Sequence, residues 1–352
     1  DFSGSSLYAA SDPGCKELGE KERRQLFELE SMAFFYLPRI CNHCINPGCL
    51  AACPAGAIYK RGEDGIVLVS REKCRAWRMC ITGCPYKKTY YNWAEGKSEK
   101  CILCYPRQES GQPPACFHSC VGRIRYLGLL LYDADRIESA ASVEDGILVH
   151  EQLALFLDPF DREVVREAKL QGMHDATLEH ARKSPVYRFV KEWRLALPLH
   201  PEYRTLPMLF YVPPLLPVLA HAERGVRDVG SDFFSSHENS RIPVRYFASL
   251  LAAGEEEPVR QAYRKLEAVR IYKRAATVGD IGEAELKRAL EEARTNPEEL
   301  EAIYRLTALS SVEDRFVIPP SMREQAVEAA GDPLQKQNSA GAGFLRTPRR
   351  KG

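Results

Sequence analysis

Two textures of apolar spacing divide the chain. Between residues 38 and 135 the apolar positions fall in short β-type runs: "AIYK", "GIVLV", "TYYNW" and "IRYLGLLLY". "RGEDG" (61–65) and "AEG" (94–96) supply turn residues between such runs. After Asp135 the spacing becomes helical. "DREVVREAKLQG" (161–172) and "DATLEHARK" (175–183) each open on an aspartate suited to an N-cap. "RIPVRYFASLLAAG" and "EPVRQAYRKLEAVRIYKRA" continue the helical texture beyond a proline-punctuated stretch, 184–220. "NPEELEAIYRLTAL" (296–309) offers Asn296 as a cap and Pro297 at the first helical position. "SMREQAVEAAG" (321–331) has Ser321 as cap, Glu324 three residues on and Gly331 as a stop. A further helix is expected over Glu17–Phe35.

These patterns predict an α+β chain: a remnant over 1–37 that is partly helical, a β-rich segment over 38–135, a mainly helical segment over 136–331, and a disordered polar tail over 332–352. The most apolar stretch, "LPMLFYVPPLLPVLA" (206–220), has 15 residues and four prolines, too short and broken for a membrane helix. It is expected to lie extended against its own core or a partner subunit. The visible start, Asp1, carries no apolar leader and no twin-arginine signal, and Arg23 and Arg24 belong to a charged helical stretch. It reads as a fragment boundary.

Composition narrows the function. The net charge of +1 argues against a general nucleic-acid binder. Twelve cysteines decide more, because eleven of them lie between 41 and 120. Regular short spacings confined to one third of a chain point to metal rather than to a disulfide framework. Cys15 stands apart and reads as an incidental thiol. The eight histidines are scattered, and no P-loop, G-x-G-x-x-G or G-x-S-x-G elbow occurs. His43 and His118 lie inside cysteine loops, either as hydrogen-bond donors to sulfur or as ordinary loop polar groups. A cluster-bearing chain without a catalytic constellation reads as an electron wire.

The cysteines form an internal repeat. "CNHCINPGCLAACP" (41–54) and "CRAWRMCITGCP" (74–85) are two versions of one loop, and "CILCYPRQESGQPPACFHSC" (101–120) is a third with a longer insertion and no closing proline. Bacterial ferredoxins use C-x₂-C-x₂-C-x₃-C-P, in which the cysteine before proline ligates the other cluster of a pair. By that rule Cys41, Cys44 and Cys49 bind one [4Fe–4S] cluster, completed by Cys84 of the second loop. Cys53 crosses to join Cys74 and Cys80. The remaining ligand register of that second site holds Trp77, whose indole N–H offers iron no lone pair. A [3Fe–4S] cluster lacking that corner follows, at a higher potential, with the ring excluding water. An ordinary core tryptophan is the plainer alternative, outweighed by the placement between Cys74 and Cys80. Cys101, Cys104 and Cys116 would serve another [4Fe–4S] cluster, and Cys120 would cross to a fourth; their other ligands are expected in a preceding loop. Zinc also uses C-x₂-C pairs, but does not account for tandem C-x₃-C-P endings. Arg71, Lys73, Arg75, Arg78, Lys87, Lys88, Lys97, Lys100 and Arg107 surround the loops, as charge compensation or as a solvated basic face.

With these residues in view, the chain resembles the β (iron–sulfur) subunits of membrane-bound respiratory nitrate reductase and nitrite oxidoreductase, of the molybdopterin oxidoreductase superfamily. The resemblance is carried by "YLPRICNHCINPGCLAACPAGAIYKRGEDGIVLV", "CRAWRMCITGCPYKK", "NWAEGKSEKCILCYPR" and "SCVGRIRYLGLLLYDADRI". Outside the loops it is carried by "SPVYRFVKEWRLALPLHPEYRTLPMLFYVPP", "RIPVRYFASLLAAG" and "EDRFVIP". It implies a ferredoxin-like domain followed by a helical docking domain. It implies three [4Fe–4S] clusters and one [3Fe–4S] cluster, with the tryptophan as a family feature. The implied partners are a membrane haem-b γ subunit that oxidises quinol and a molybdenum α subunit that reduces nitrate to nitrite. The chain would then sit peripherally on the cytoplasmic face, touching the membrane through the γ subunit and converting no substrate itself. Nitrite oxidoreductase with reversed electron flow, and a zinc-stabilised interaction module, are the competing readings. Ala76 stands where the family commonly has glycine.

Overall fold

Three of the four β-type runs become strands, in two hairpins. In the computed structural model, which describes residues 19–21, 36–62, 64–215 and 242–318, β1 (Ile58–Lys60) and β2 (Val67–Val69) run antiparallel with Tyr59 opposite Leu68. Gly65, at φ 69°, turns the chain between them, and Asp64 accepts a hydrogen bond from Ile66 N at 2.9 Å. β3 (Thr89–Asn92) and β4 (Lys97–Lys100) form the second hairpin, with Tyr91 opposite Ser98. Its turn is closed by Asn92 Oδ1, which accepts from Ala94 N at 3.0 Å, and by Gly96 at φ 63°. β4, "KSEK", has no apolar residue, so the apolar pattern missed it; its inward positions are Ser98 and Lys100.

Short helices precede the hairpins. α1 (Gly48–Ala51) carries Cys49 and α2 (Met79–Gly83) carries Cys80, each one turn upstream of a Cys-Pro. Cys49, Cys80, Cys84, Ile58 and Val67 form one buried cluster, against which Cys53, Leu50, Ile81 and Tyr86 pack. α3 (Tyr105–Glu109) and α4 (Ala115–His118) occupy the long insertion of the third loop.

The chain divides into two units. The one holding the cysteine loops comprises 40–134, 156–188 and the segment from Ser310. Here "IRYLGLLLY" is not a strand. Leu127 bridges Phe316 in parallel and Tyr132 bridges Phe156 in antiparallel, so its partners lie on two different segments and no ladder extends. The helix Arg162–Leu170 is capped by Asp161, which accepts from Glu163 N at 2.7 Å, as expected. In the next helix His174, not Asp175, is the cap position; Asp175 is the first helical residue and pairs with Lys169 at 2.6 Å.

The other unit comprises residues up to 39, 135–155 and 189–309, and is helical. Its longest helix, Glu256–Thr277, buries Val259, Ala262, Tyr263, Ala268 and Ile271. Asn296 caps the helix Pro297–Tyr304, accepting from Glu299 N at 2.8 Å. Glu299 in turn receives the buried Lys265 ammonium. The apolar stretch from Leu206 is seated on this unit's own core: Leu206 and Tyr211 are buried, Phe210–Tyr211 pairs with Leu197–Pro198, and Tyr263 Oη donates to Pro214 O at 3.4 Å. No helix among the described residues is long and apolar enough to cross a membrane. Cys15, most of the helix expected over 17–35, the end of the 206–220 stretch, the helix expected over 321–331 and the tail lie outside the described residues.

Candidate metal centre

The three loops share a local geometry that begins two residues after their first cysteines. His43, Ala76 and Leu103 occupy that position, at φ 44°, 61° and 50°. Such left-handed residues are uncommon outside glycine. In the third loop Leu103 N donates to Cys101 Sγ at 3.4 Å, and in the first two the His43 and Ala76 backbone N–H groups favour the thiolate forms of Cys41 and Cys74. Consecutive N–H groups gathered in such turns make anion-binding concavities, the environment a metal-bound thiolate needs. The next residue in each loop is Cys44, Trp77 or Cys104. Trp77 therefore occupies the structural position of a cysteine.

The crossing cysteines share a second geometry. Ala57 N donates to Cys53 Sγ at 3.3 Å and Lys88 N to Cys84 Sγ at 3.4 Å, each four residues on across the proline. α1 and α2 meet at glycine: a Cβ on Gly83 would lie 2.4 Å from the Ala52 Cβ and 3.1 Å from Gly48 O. That close approach sets Cys84 beside the first loop. Burial, then the Cys84 and Cys41 sulfurs, push the Cys49 thiol up to about 11. Cys53 packs on the cluster that holds Cys80. Cys74 is buried, which alone would raise its thiol; N–H groups of Ser98 and Ala76 and the Lys97 ammonium outweigh this and lower it. Cys116 lies in electrostatic reach of Cys101 and Cys104. Cys120 is half-buried.

The lining of the first loop fits an anionic inorganic group. Asn42 and His43 are buried, and Asn42 Nδ2, Asn42 Oδ1 and His43 Nε2 have no hydrogen-bond partner. His43 Nδ1 accepts from Val67 N at 3.1 Å, which places the ring proton on Nε2 as an unused donor. Burial first, then the Lys100 and Lys60 ammonium groups, hold the imidazole neutral, at about 2. Buried donors left unpaired are costly without an acceptor, and cluster sulfides are acceptors. Among the described residues no three His, Cys, Asp or Glu side chains come together as the ligand set of one metal ion.

Three lysines hold the loops from behind. Lys60 Nζ donates to Gly65 O at 2.8 Å, Cys44 O at 3.1 Å and His43 O at 3.3 Å. Lys97 Nζ donates to Cys74 O at 2.7 Å, and Lys100 Nζ to Cys101 O at 2.9 Å and to Val67 O. Burial lowers the Lys60 ammonium to about 8. Lys60 escaped the sequence reading because it stands outside the cysteine motifs, on β1; its approach is a tertiary event. Others of the basic set do different work. Arg71 pairs with Glu95 and Glu99, Arg107 Nε donates to Pro113 O at 3.0 Å, and Arg78 stacks over Tyr91 and Trp93. Trp77 is 60 % exposed, so the chain's own atoms leave most of the ring open rather than packing it as a core residue.

Loops of this kind, on paired hairpins, define an iron–sulfur protein of the dicluster type. A family model described as a 4Fe-4S dicluster domain matches residues 32–130, and one described as respiratory nitrate reductase beta C-terminal matches 215–294. The chain is 45 % identical to the nitrate reductase beta chain of Bacillus subtilis (strain 168), over 99 % of this chain and 70 % of the relative. It is 51 % identical to the respiratory nitrate reductase 2 beta chain of Escherichia coli (strain K12), over 90 % of this chain and 60 % of the relative. It is 39 % identical to the dimethylsulfide dehydrogenase subunit beta of Rhodovulum sulfidophilum, over 72 % of this chain and 59 % of the relative. The chain belongs to the family of respiratory nitrate reductase beta chains, and it spans about 60 % of the length of the Escherichia coli relative.

Proposed function

We propose that this chain is the electron-transfer subunit of a nitrate reductase complex, relaying electrons from a membrane haem-b quinol-oxidising γ subunit to a molybdenum α subunit that reduces nitrate to nitrite. The observation that carries the reading is the threefold repeat of a left-handed residue two positions after a cysteine, at His43, Ala76 and Leu103 after Cys41, Cys74 and Cys101. Membership of the respiratory nitrate reductase beta-chain family supports partner subunits and this reaction. When bound, the clusters supply one-electron redox chemistry through delocalised iron–sulfide frames.

The residues divide the work in a ferredoxin-like domain over 38–135, ahead of a helical docking region. Cys41, Cys44, Cys49 and Cys84 would hold a [4Fe–4S] cluster. Cys53, Cys74 and Cys80 would hold a [3Fe–4S] cluster, with Trp77 at its fourth corner. Cys101, Cys104 and Cys116 would serve a second [4Fe–4S] cluster and Cys120 a third, each sharing ligands beyond the described cysteines. Peptide N–H groups and lysines offset the thiolate charge, while Asn42 and the Nε2–H of His43 face the first site. The chain itself converts no substrate; it would sit peripherally on the cytoplasmic face and meet the membrane through the γ subunit. The test is metal analysis of the anaerobically purified complex. Iron with matching acid-labile sulfide is the expected result, and zinc without sulfide would overturn the reading.

A further inference from the structure

Strand β4 reads Lys-Ser-Glu-Lys, a composition suited to solvent, yet both of its lysines turn onto cysteine loops. Lys100 is 6 % exposed. Its ammonium donates to the carbonyl of Cys101 and to that of Val67, whose own N–H donates to His43 Nδ1 of the first loop, and its charge favours the Cys41 thiolate. One cation therefore holds the third loop directly and bears on the first through Val67. Lys97 donates to the carbonyl of Cys74 in the second loop, and its charge acts on that thiol. The carboxylate between them does not neutralise either. Glu99 is engaged by Arg71 at 2.8 Å, Asn92 at 3.1 Å and Tyr90 at 3.3 Å. A buried ammonium held only by carbonyls calls for an anion nearby.

We propose that β4 distributes positive charge among the centres: Lys100 is a positioning residue shared by the centres built on Cys41 and Cys101, and Lys97 serves the centre built on Cys74. The inference rests on the cluster ligation proposed above. Reduction makes a cluster more anionic, so a fixed cation in a poorly solvated site stabilises the reduced form and raises the potential. Each lysine acts on the loop it touches, because the interaction weakens with distance and is screened where solvent intervenes.

The experiment is EPR-monitored redox titration of the assembled complex carrying Lys97→Met or Lys100→Met. Lys97→Met is expected to lower the midpoint of the oxidised-state [3Fe–4S]-type signal and to leave the reduced-state signals in place. Lys100→Met is expected to do the reverse. Unmoved midpoints at full iron content, or one common shift of all centres by both variants, would overturn the proposal. Lys97 is partly exposed, so its variant decides the matter if Lys100→Met loses iron. A wild-type complex without iron–sulfur signals would defeat the proposed function itself, and is recognised before any substitution is made.

Discussion

Gly83 lies so close to Ala52 that a methyl group on the glycine would sit 2.4 Å from the alanine Cβ. This contact lets α1 and α2 pack and brings Cys84 to the first loop. Gly83→Ala must part the helices, at a cost of about 1–3 kcal/mol by the usual scale for overpacking. We expect a lower unfolding temperature and reduced iron content. Gly282→Ala is the control, since a Cβ there meets nothing within 4 Å and the glycine is not left-handed.

Ala76, at φ 61°, holds a conformation that costs a non-glycine residue roughly 1–2 kcal/mol. Glycine there would relieve the strain but give the unfolded chain about 0.4–1 kcal/mol more entropy to lose. Ala76→Gly should therefore be neutral or stabilising by up to ~1 kcal/mol in a thermal melt, whereas alanine-to-glycine changes in helices destabilise. A clear loss of stability would mean the left-handed turn carries no strain.

The alternation of apolar residues disclosed β1, β2 and β3, and the cysteine spacing disclosed three like loops, one with Trp77 at the position of a cysteine. What escaped were features that depend on the third dimension. β4 has no apolar residue to reveal it, and its edge is set by pairing Tyr91 with Ser98. "IRYLGLLLY" has strand composition but only isolated bridging partners. Lys60 looks like a solvated cation in the sequence and proves to be an anchor for loop carbonyls, whereas Lys100, one of the basic residues beside the loops, was legible as a candidate but not the carbonyl it holds. Asp175 was displaced from its cap by one residue, within the usual uncertainty of helix ends.

Lys265 and Glu299 join the two helices Glu256–Thr277 and Pro297–Tyr304, the lysine side chain being 8 % exposed. Lys265→Met removes the cation and leaves the carboxylate half-sheltered. Because Glu299 retains some solvent, the cost should fall below the roughly 3–5 kcal/mol of a fully buried broken pair, on the order of 1–3 kcal/mol. Adding Glu299→Gln should recover part of it in denaturant titration; no recovery would mean the pair contributes nothing beyond packing.

Ser311 and Asp314 form a capping box, with Asp314 N donating to Ser311 Oγ at 3.2 Å and Ser311 N donating to Asp314 at 2.8 Å. Those hydrogen bonds from Ser311 hold the Asp314 carboxyl below its ordinary value. A carboxyl lowered on folding adds stability that is present above its unfolded pKa of about 3.9 and lost as pH falls through the folded value. Ser311→Ala should cost ~1 kcal/mol at pH 7. The gap between variant and wild type should narrow below about pH 4. A gap that is constant with pH would show that the carboxylate takes no part.

Trp77 stands in a loop built like those of Cys44 and Cys104 but offers no ligand. EPR of the oxidised, anaerobically purified complex, wild type against Trp77→Cys, measures its role. We expect a [3Fe–4S]-type signal in the wild type, and its loss with gain of a reduced-state [4Fe–4S] signal in the variant. A wild type without the signal, or a variant in which it is unchanged, would contradict the assignment of that corner.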